Sequence, residues 1–299
     1  MQLRYMFLLA LLATFATSAT AEPIARLTTH RAAECPAPCP RAAVIFIHGI
    51  TGSKQTWGNP AGNLYWPTML ANDVSLLNDV DIYQIDYDST LFDGPAAVAT
   101  ETDIEKFLDK LILEKKYAKI IFVAHSLGGI LARTYLLHVK HTYGHAALSR
   151  FRMVITLGTP NEGSSLANLA QLASDNEQIR VLKPIQVNDF QQLVNKSIRE
   201  IQEKHEGCPS LRTFAAFEKR PVLLLGIVVE EASATKDAFA KIGFERNHME
   251  LPKPVSPDDP VYAWATRLVA DCVRSDANAC PLPLQDPSCP GGDFRPRPQ

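Results

Sequence analysis

The 299-residue sequence carries almost no net charge: 30 Lys+Arg stand against 32 Asp+Glu, a formal −2 at pH 7. Without a basic stripe to neutralise phosphates, nucleic-acid binding is not expected. The sequence also lacks a Walker-type phosphate loop and a GxGxxG fingerprint, the usual backbone cradles for nucleotides. No uninterrupted apolar run approaches the roughly 20 residues that span a bilayer, and there are no internal repeats. What remains is an ordinary globular composition, 46% hydrophobic and 21% charged, too apolar for a disordered chain.

Residues 1–21 read as an export signal. Arg4 supplies a positive start, Met6 to Ala13 an apolar stretch, and Ala19-Thr20-Ala21 small residues for cleavage, leaving Glu22 as the mature start. The expectation is a periplasmic or secreted protein. All six cysteines (Cys35, Cys39, Cys208, Cys272, Cys280, Cys289) follow that signal. An even number in an oxidising compartment reads as disulfide staples. Cys35 and Cys39 lack the second ligand pair that a zinc site would need.

Four β-branched apolar runs, Ala43–Ile47, Val80–Asp86, Lys119–Ala124 and Met153–Leu157, alternate with helical patterns, and a fifth run covers Val222–Val229. Near-continuous apolar runs suit strands buried on both faces. Helical spacing is clear over Thr102–Lys116, Leu127–Val139 and Pro260–Cys272. The alternation predicts an α/β fold, a mostly parallel sheet covered by helices, in one domain over residues 22–279. Residues 161–220 show amphipathic segments such as Phe190–Ile201 and no convincing strand, and are read as a helical cap insertion. Residues 280–299 form a Pro-rich tail.

The most informative stretch is Ile120-Ile121-Phe122-Val123-Ala124-His125-Ser126-Leu127-Gly128-Gly129-Ile130. A buried strand runs into a sharp turn at Ser126 and out into a helix, a G-x-S-x-G pattern with Ala124 at its first glycine. Small neighbours are needed because a nucleophile on so tight a turn has strained backbone angles. The turn lifts the hydroxyl above the sheet, where the Leu127 N–H can hold an oxyanion. A second strand ends in His48-Gly49-Ile50-Thr51-Gly52. The loop after it offers the second donor, the Ile50 N–H ahead of Thr51, with His48 bracing the loop.

These stretches, with Thr56-Trp57, Ile85-Asp86-Tyr87-Asp88, Leu157-Gly158-Thr159-Pro160-x-x-Gly163-Ser164, Val228–Ala234 and Asn247-His248-Met249-Glu250-Leu251-Pro252-Lys253-Pro254, resemble the α/β-hydrolase fold. They are most similar to the branch holding the serine-active-site-containing phosphatidylglycerol remodelling protein and the GPI inositol-deacylases. The resemblance runs from about Arg41 to Asp271. Two positions depart from it: Ala124, where most members carry Gly or Ser, and Leu251, where the branch typically has Cys.

In this fold the triad order is serine, acid, histidine, so the base must follow Ser126. His30 and His48 precede it, and His125 is adjacent and expected to point elsewhere. His138, His141 and His145 lie on or just past the next helix and read as solvated, while His205 sits in a polar run. His248 remains, between the last strand-like segment and the final helix. The acid is sought just beyond Val222–Val229: Glu231, with Glu230 as the alternative and Asp237 as a further candidate after that loop, while Glu162, after the preceding strand, is the outsider. Ser126 would attack an ester carbonyl and His248 would protonate the leaving alcohol, with no metal or organic cofactor required. Export, the amphipathic insertion and the resemblance together imply a lipase or carboxylesterase acting on lipid esters, touching a lipid surface transiently through the cap. Phospholipid acyl transfer is the neighbouring alternative, and a non-catalytic binding protein on the same fold is the other.

Overall fold

The computed structural model describes residues 25–32, 41–50, 52–77, 79–87, 94–115, 117–162, 187–203, 211–223 and 225–275. The expected signal at 1–21 and the tail at 280–299 lie outside them, as do five of the six cysteines. Cys272 lies inside; it is buried and is not a free thiol.

Seven strands form one sheet: β1 (Ala25–Arg31), β2 (Ala42–Ile47), β3 (Val80–Tyr87), β4 (Lys119–His125), β5 (Phe151–Leu157), β6 (Arg212–Glu218) and β7 (Ala240–Phe244). Their order is β1-β3-β2-β4-β5-β6-β7. β1 runs antiparallel to β3 and every other pairing is parallel. The principal helices are α1 (Trp66–Ala71), α2 (Gly94–Lys110), α3 (Leu127–Thr142), α4 (Val187–Gln202) and α5 (Pro260–Arg274). Among the described residues no helix is long and apolar enough to cross a membrane.

Two cores account for the unbroken apolar runs. Side chains alternate along a strand, so Ala43, Ile45 and Ile47 join one core with Phe122 of β4 and Leu136 of α3. Val44 and Phe46 join the other, with Trp57, Trp66, Ile121, Ile155 and the α5 residues Val261 and Val269. A sheet covered on both faces has no position for polar alternation, which is why β2 and β4 read as continuous apolar stretches. α5 starts at a strong cap: Asp259 accepts from the N–H groups of Val261 and Tyr262, and Pro260 occupies the first turn. At the other end Lys119 donates to the carbonyls of Cys272, Val273 and Ser275, answering the helix's exposed acceptors.

Two expectations need correction. Val222–Val229 is no strand. It is a loop closed by a Val222–Gly226 bridge, with Gly226 at φ +74. The sheet strand comes earlier, as β6, inside the interval read as strand-free. The expected cap therefore ends before Arg212, and its described half is a core element: Val194, Ile198 and Ile201 of α4 pack with α3 in the first core. The rest of the expected cap, residues 163–186 and 204–210, lies outside the described residues.

Candidate active site

Ser126 sits between β4 and α3 with φ 55 and ψ −128. Only Ser126 and Asp237 among described non-glycine residues have positive φ, a conformation that costs about 1–3 kcal/mol. The fold compensates by pinning the turn: Ser126 N–H donates to the Leu157 carbonyl at 2.9 Å, and Gly129 N–H to the Ser126 carbonyl at 3.0 Å. The two glycines after the serine answer to space. A Cβ on Gly128 would overlap the carbonyls of Ile47 and His48, and one on Gly129 would overlap Thr159. With side chains there, α3 could not approach the strand ends.

Gly49 is equally confined: a Cβ there would fall 2.5 Å from the Ser126 Cβ and 3.0 Å from its Oγ. The loop after β2 therefore lies against the serine hydroxyl, and Ile50, which lines the adjoining cavity, follows directly. Thr51 lies outside the described residues. Leu127 opens α3, where N–H groups have no partner within the helix. His48 braces the loop as expected. It is fully buried and stacks on Tyr87 at 4.2 Å. Its Nδ1 donates to the Gly49 carbonyl at 3.0 Å, and its Nε2 accepts from the Tyr87 N–H at 3.3 Å. That bonding suits the neutral ring, and burial holds its pKa below the ordinary value.

His248 is carried on a turn past β7. Asn247 Oδ1 accepts from the N–H groups of Met249 and Glu250, both at 3.0 Å. Arg246 ties the turn to the buried Asp259 at 2.7 Å. The carboxylate facing the histidine is neither Glu231 nor Glu230. Glu218, the last residue of β6, places Oε2 3.1 Å from His248 Nδ1, and both side chains are buried. Its other oxygen accepts from the N–H groups of Val228 and Val229, at 3.1 and 2.8 Å. The end of the apolar run that resembles a strand thus spends two N–H groups on a carboxylate. Glu231 instead pairs with Lys241 at 2.9 Å on the surface, and Glu230 is exposed at the start of a short helical turn. Asp237 pairs with Arg199 at 3.1 Å, and Glu162 with Lys236 at 3.0 Å. Nothing local singled out Glu218. The signal was the Phe-Ala-Ala-Phe core of β6 ending in an acid, too short of branched residues to stand out.

Gly158 joins the two halves. It follows Leu157, whose carbonyl holds Ser126, and its φ is +59. A Cβ there would stand 2.8 Å from Glu218 Oε2 and 3.0 Å from His248 Nδ1. Among the described residues, Ser126 Oγ and His248 Nε2 are both buried without a hydrogen-bond partner.

His125 does not point elsewhere. Its ring lies 4.8 Å from that of His248, and its Nε2–H donates to the His248 carbonyl at 3.0 Å. Burial first, then the neighbouring imidazole, keep its pKa well below the ordinary value. Of the remaining histidines, His138 is held rather than solvated, 3.5 Å from both Glu105 and Asp109. His205 lies outside the described residues. No group of three metal-binding side chains occurs among the described residues.

The sheet order, the strained serine turn and the strand-end acid with its histidine define a protein of the α/β-hydrolase fold. Residues 40–202, more than half of the chain, match the model of the PGAP1-like alpha/beta domain, and the chain belongs to that family. It is similar to Protein SERAC1 of Bos taurus, 24% identical over 274 residues, covering 79% of this chain and 40% of the relative. Protein SERAC1 of Mus musculus is 23% identical over 267 residues, with the same coverage. The chain thus spans less than half the length of these relatives. Among solved structures, the Bacillus licheniformis lipase BlEst2 in mature form has a TM-score of 0.45 and 22% identity, covering 76% of this chain and 93% of that one. A Pyrobaculum calidifontis esterase has a TM-score of 0.49 and 15% identity, covering 85% and 82%.

Proposed function

We propose that this protein is a serine hydrolase that cleaves carboxylic esters through an acyl-enzyme. One observation carries the reading. His248 Nδ1 is held by Glu218 beside Gly158, while its Nε2 and the Ser126 hydroxyl, which lies against Gly49, are both buried and unpartnered among the described residues. With the proton fixed on Nδ1, Nε2 presents a lone pair. It takes the hydroxyl proton as Oγ bonds to the ester carbonyl carbon, and Glu218 stabilises the imidazolium. The oxyanion rests on the Leu127 and Ile50 N–H groups, each donor worth roughly 2.7–4 kcal/mol in the transition state. His248 then gives its proton to the leaving alkoxide as the carbon–oxygen bond breaks. Water, activated by the same imidazole, releases the acid and restores the serine. In a resting enzyme the serine–histidine bond is often long and closes only with substrate.

The substrates we assign are lipid-like esters met after export, with residues 1–21 removed. That part rests on the sequence pattern of the signal and on the resemblance to the lipid-remodelling branch. The decisive experiment treats the purified mature protein with a fluorophosphonate probe and assays 4-nitrophenyl esters of rising chain length. Labelling and turnover should vanish in Ser126→Ala. A wild-type protein that neither labels nor turns over would overturn the enzyme reading, and turnover confined to the acetate would remove the lipid assignment.

A further inference from the structure

The cavity beside the serine has an uneven charge. Its walls are the loop after β2 (Ile50, Ser53, Gln55) and the histidine turn (His248, Met249, Lys253), with no acidic side chain among the described lining residues. Among the described lining residues Lys253 is the one Lys or Arg. It is partly buried, and its N–H is fixed on the Glu250 carbonyl at 3.0 Å, so the side chain leaves a tight turn. The neighbouring acids are engaged elsewhere: Glu250 with Arg220 at 3.7 Å and with the Asn247 N–H, and Asp259 with Arg246. Among the described residues no carboxylate pairs with the Lys253 ammonium. Its field reaches into the site, where it opposes protonation of His125. Removing an ammonium partly from water with no counter-ion carries a cost that a bound anion would relieve.

The chemistry says which part of a substrate meets it. The leaving oxygen takes its proton from His248 Nε2, so the alcohol portion must lie along the wall that His248 shares with Met249 and Lys253. We infer that Lys253 is a specificity-determining residue that selects esters whose alcohol portion carries a negative charge, such as a phosphate or carboxylate. This rests on the hydrolase reading above. The bond changes are those already described: the alcohol leaves with the His248 proton, and its anion stays beside the ammonium throughout.

The test compares three butyrate or glutarate esters on the full mature protein. These are 4-nitrophenyl butyrate, its 3-carboxy-4-nitrophenyl analogue, and mono-4-nitrophenyl glutarate, whose charge is on the acyl side. Taking kcat/KM ratios between variant and wild type cancels the intrinsic reactivity of each ester. Lys253→Gln should lower the ratio of 3-carboxy to neutral ester about tenfold, the low end for a charge-assisted bond at a partly solvated site. Lys253→Arg should keep that ratio, and Lys253→Glu should lower it further. An unchanged ratio in Lys253→Gln would overturn the assignment, as would a loss confined to the glutarate. Failure of Ser126→Ala to abolish turnover would overturn the hydrolase reading instead, which separates the two.

Discussion

Replacing Glu218 by Gln removes one charge and almost no volume, so it isolates what the carboxylate does. In the native site one oxygen accepts two N–H groups, from Val228 and Val229, and the other faces His248 Nδ1 at 3.1 Å. An amide can satisfy only one side. With its oxygen toward the two valines, its NH2 faces Nδ1 and drives the proton to Nε2, leaving no lone pair for Ser126. With its oxygen toward the histidine, its NH2 meets two N–H donors inside a buried site. The first arrangement satisfies the two buried donors and is therefore the one adopted, so the productive tautomer is lost, at a cost of order 10⁴ in kcat, the scale known for the equivalent change in other serine triads. That corresponds to about 5.5 kcal/mol in the transition state. The assay is the hydrolysis of 4-nitrophenyl butyrate alongside the rate of fluorophosphonate labelling, with a thermal melt to confirm folding. Glu231→Gln, which breaks only a surface pair with Lys241, is the control and should stay within about threefold of wild type. A folded Glu218→Gln of near-native activity beside an inactive Glu231→Gln would refute the reasoning.

Two further outcomes follow from the histidines. His125→Ala removes the donor that holds the His248 carbonyl and the ring packed on it, so kcat should fall about 10- to 100-fold, the range a positioning defect produces. His125→Gln, which can still donate, should recover part of that loss, and equal damage from both would assign the ring a packing role alone. His48 and His125 are also held neutral in the fold, their pKa values lowered by burial. Below about pH 6.5 the unfolded chain binds protons that the folded one does not, so their contribution is complete above that pH. It is lost as pH falls from there toward the folded values, by at most about 1.4 kcal/mol per pH unit per histidine. Urea unfolding should therefore show a lower midpoint at pH 5.5 than at pH 7.5, and an equal or higher one would count against neutral burial.

How far the chain could be read without coordinates depended on how local each signal was. The Ser126 turn was legible because its requirements lie within a dozen residues: a strand buried on both faces, small neighbours, and a helix that begins at once. His248 was reachable because chain order left one suitable histidine. The described half of the expected cap was misread because α4's apolar face, which packs on α3, looks the same in sequence as one that covers a site.

The sequence by itself determined the class of sheet, the sharp serine turn between β4 and α3, the glycine loop at Gly49-Ile50 and the histidine that follows the last strand, since apolar runs, glycine spacing and order along the chain are all written in one dimension. Only the tertiary structure decided that Glu218 is the carboxylate on His248, that Val228 and Val229 fold over it, and that His125 and Lys253 face the same cavity. The physical reason is that a buried N–H needs an acceptor but does not specify which one. A strand ladder and a carboxylate satisfy it alike, and the choice between them was made by chain segments that meet only when the sheet is assembled.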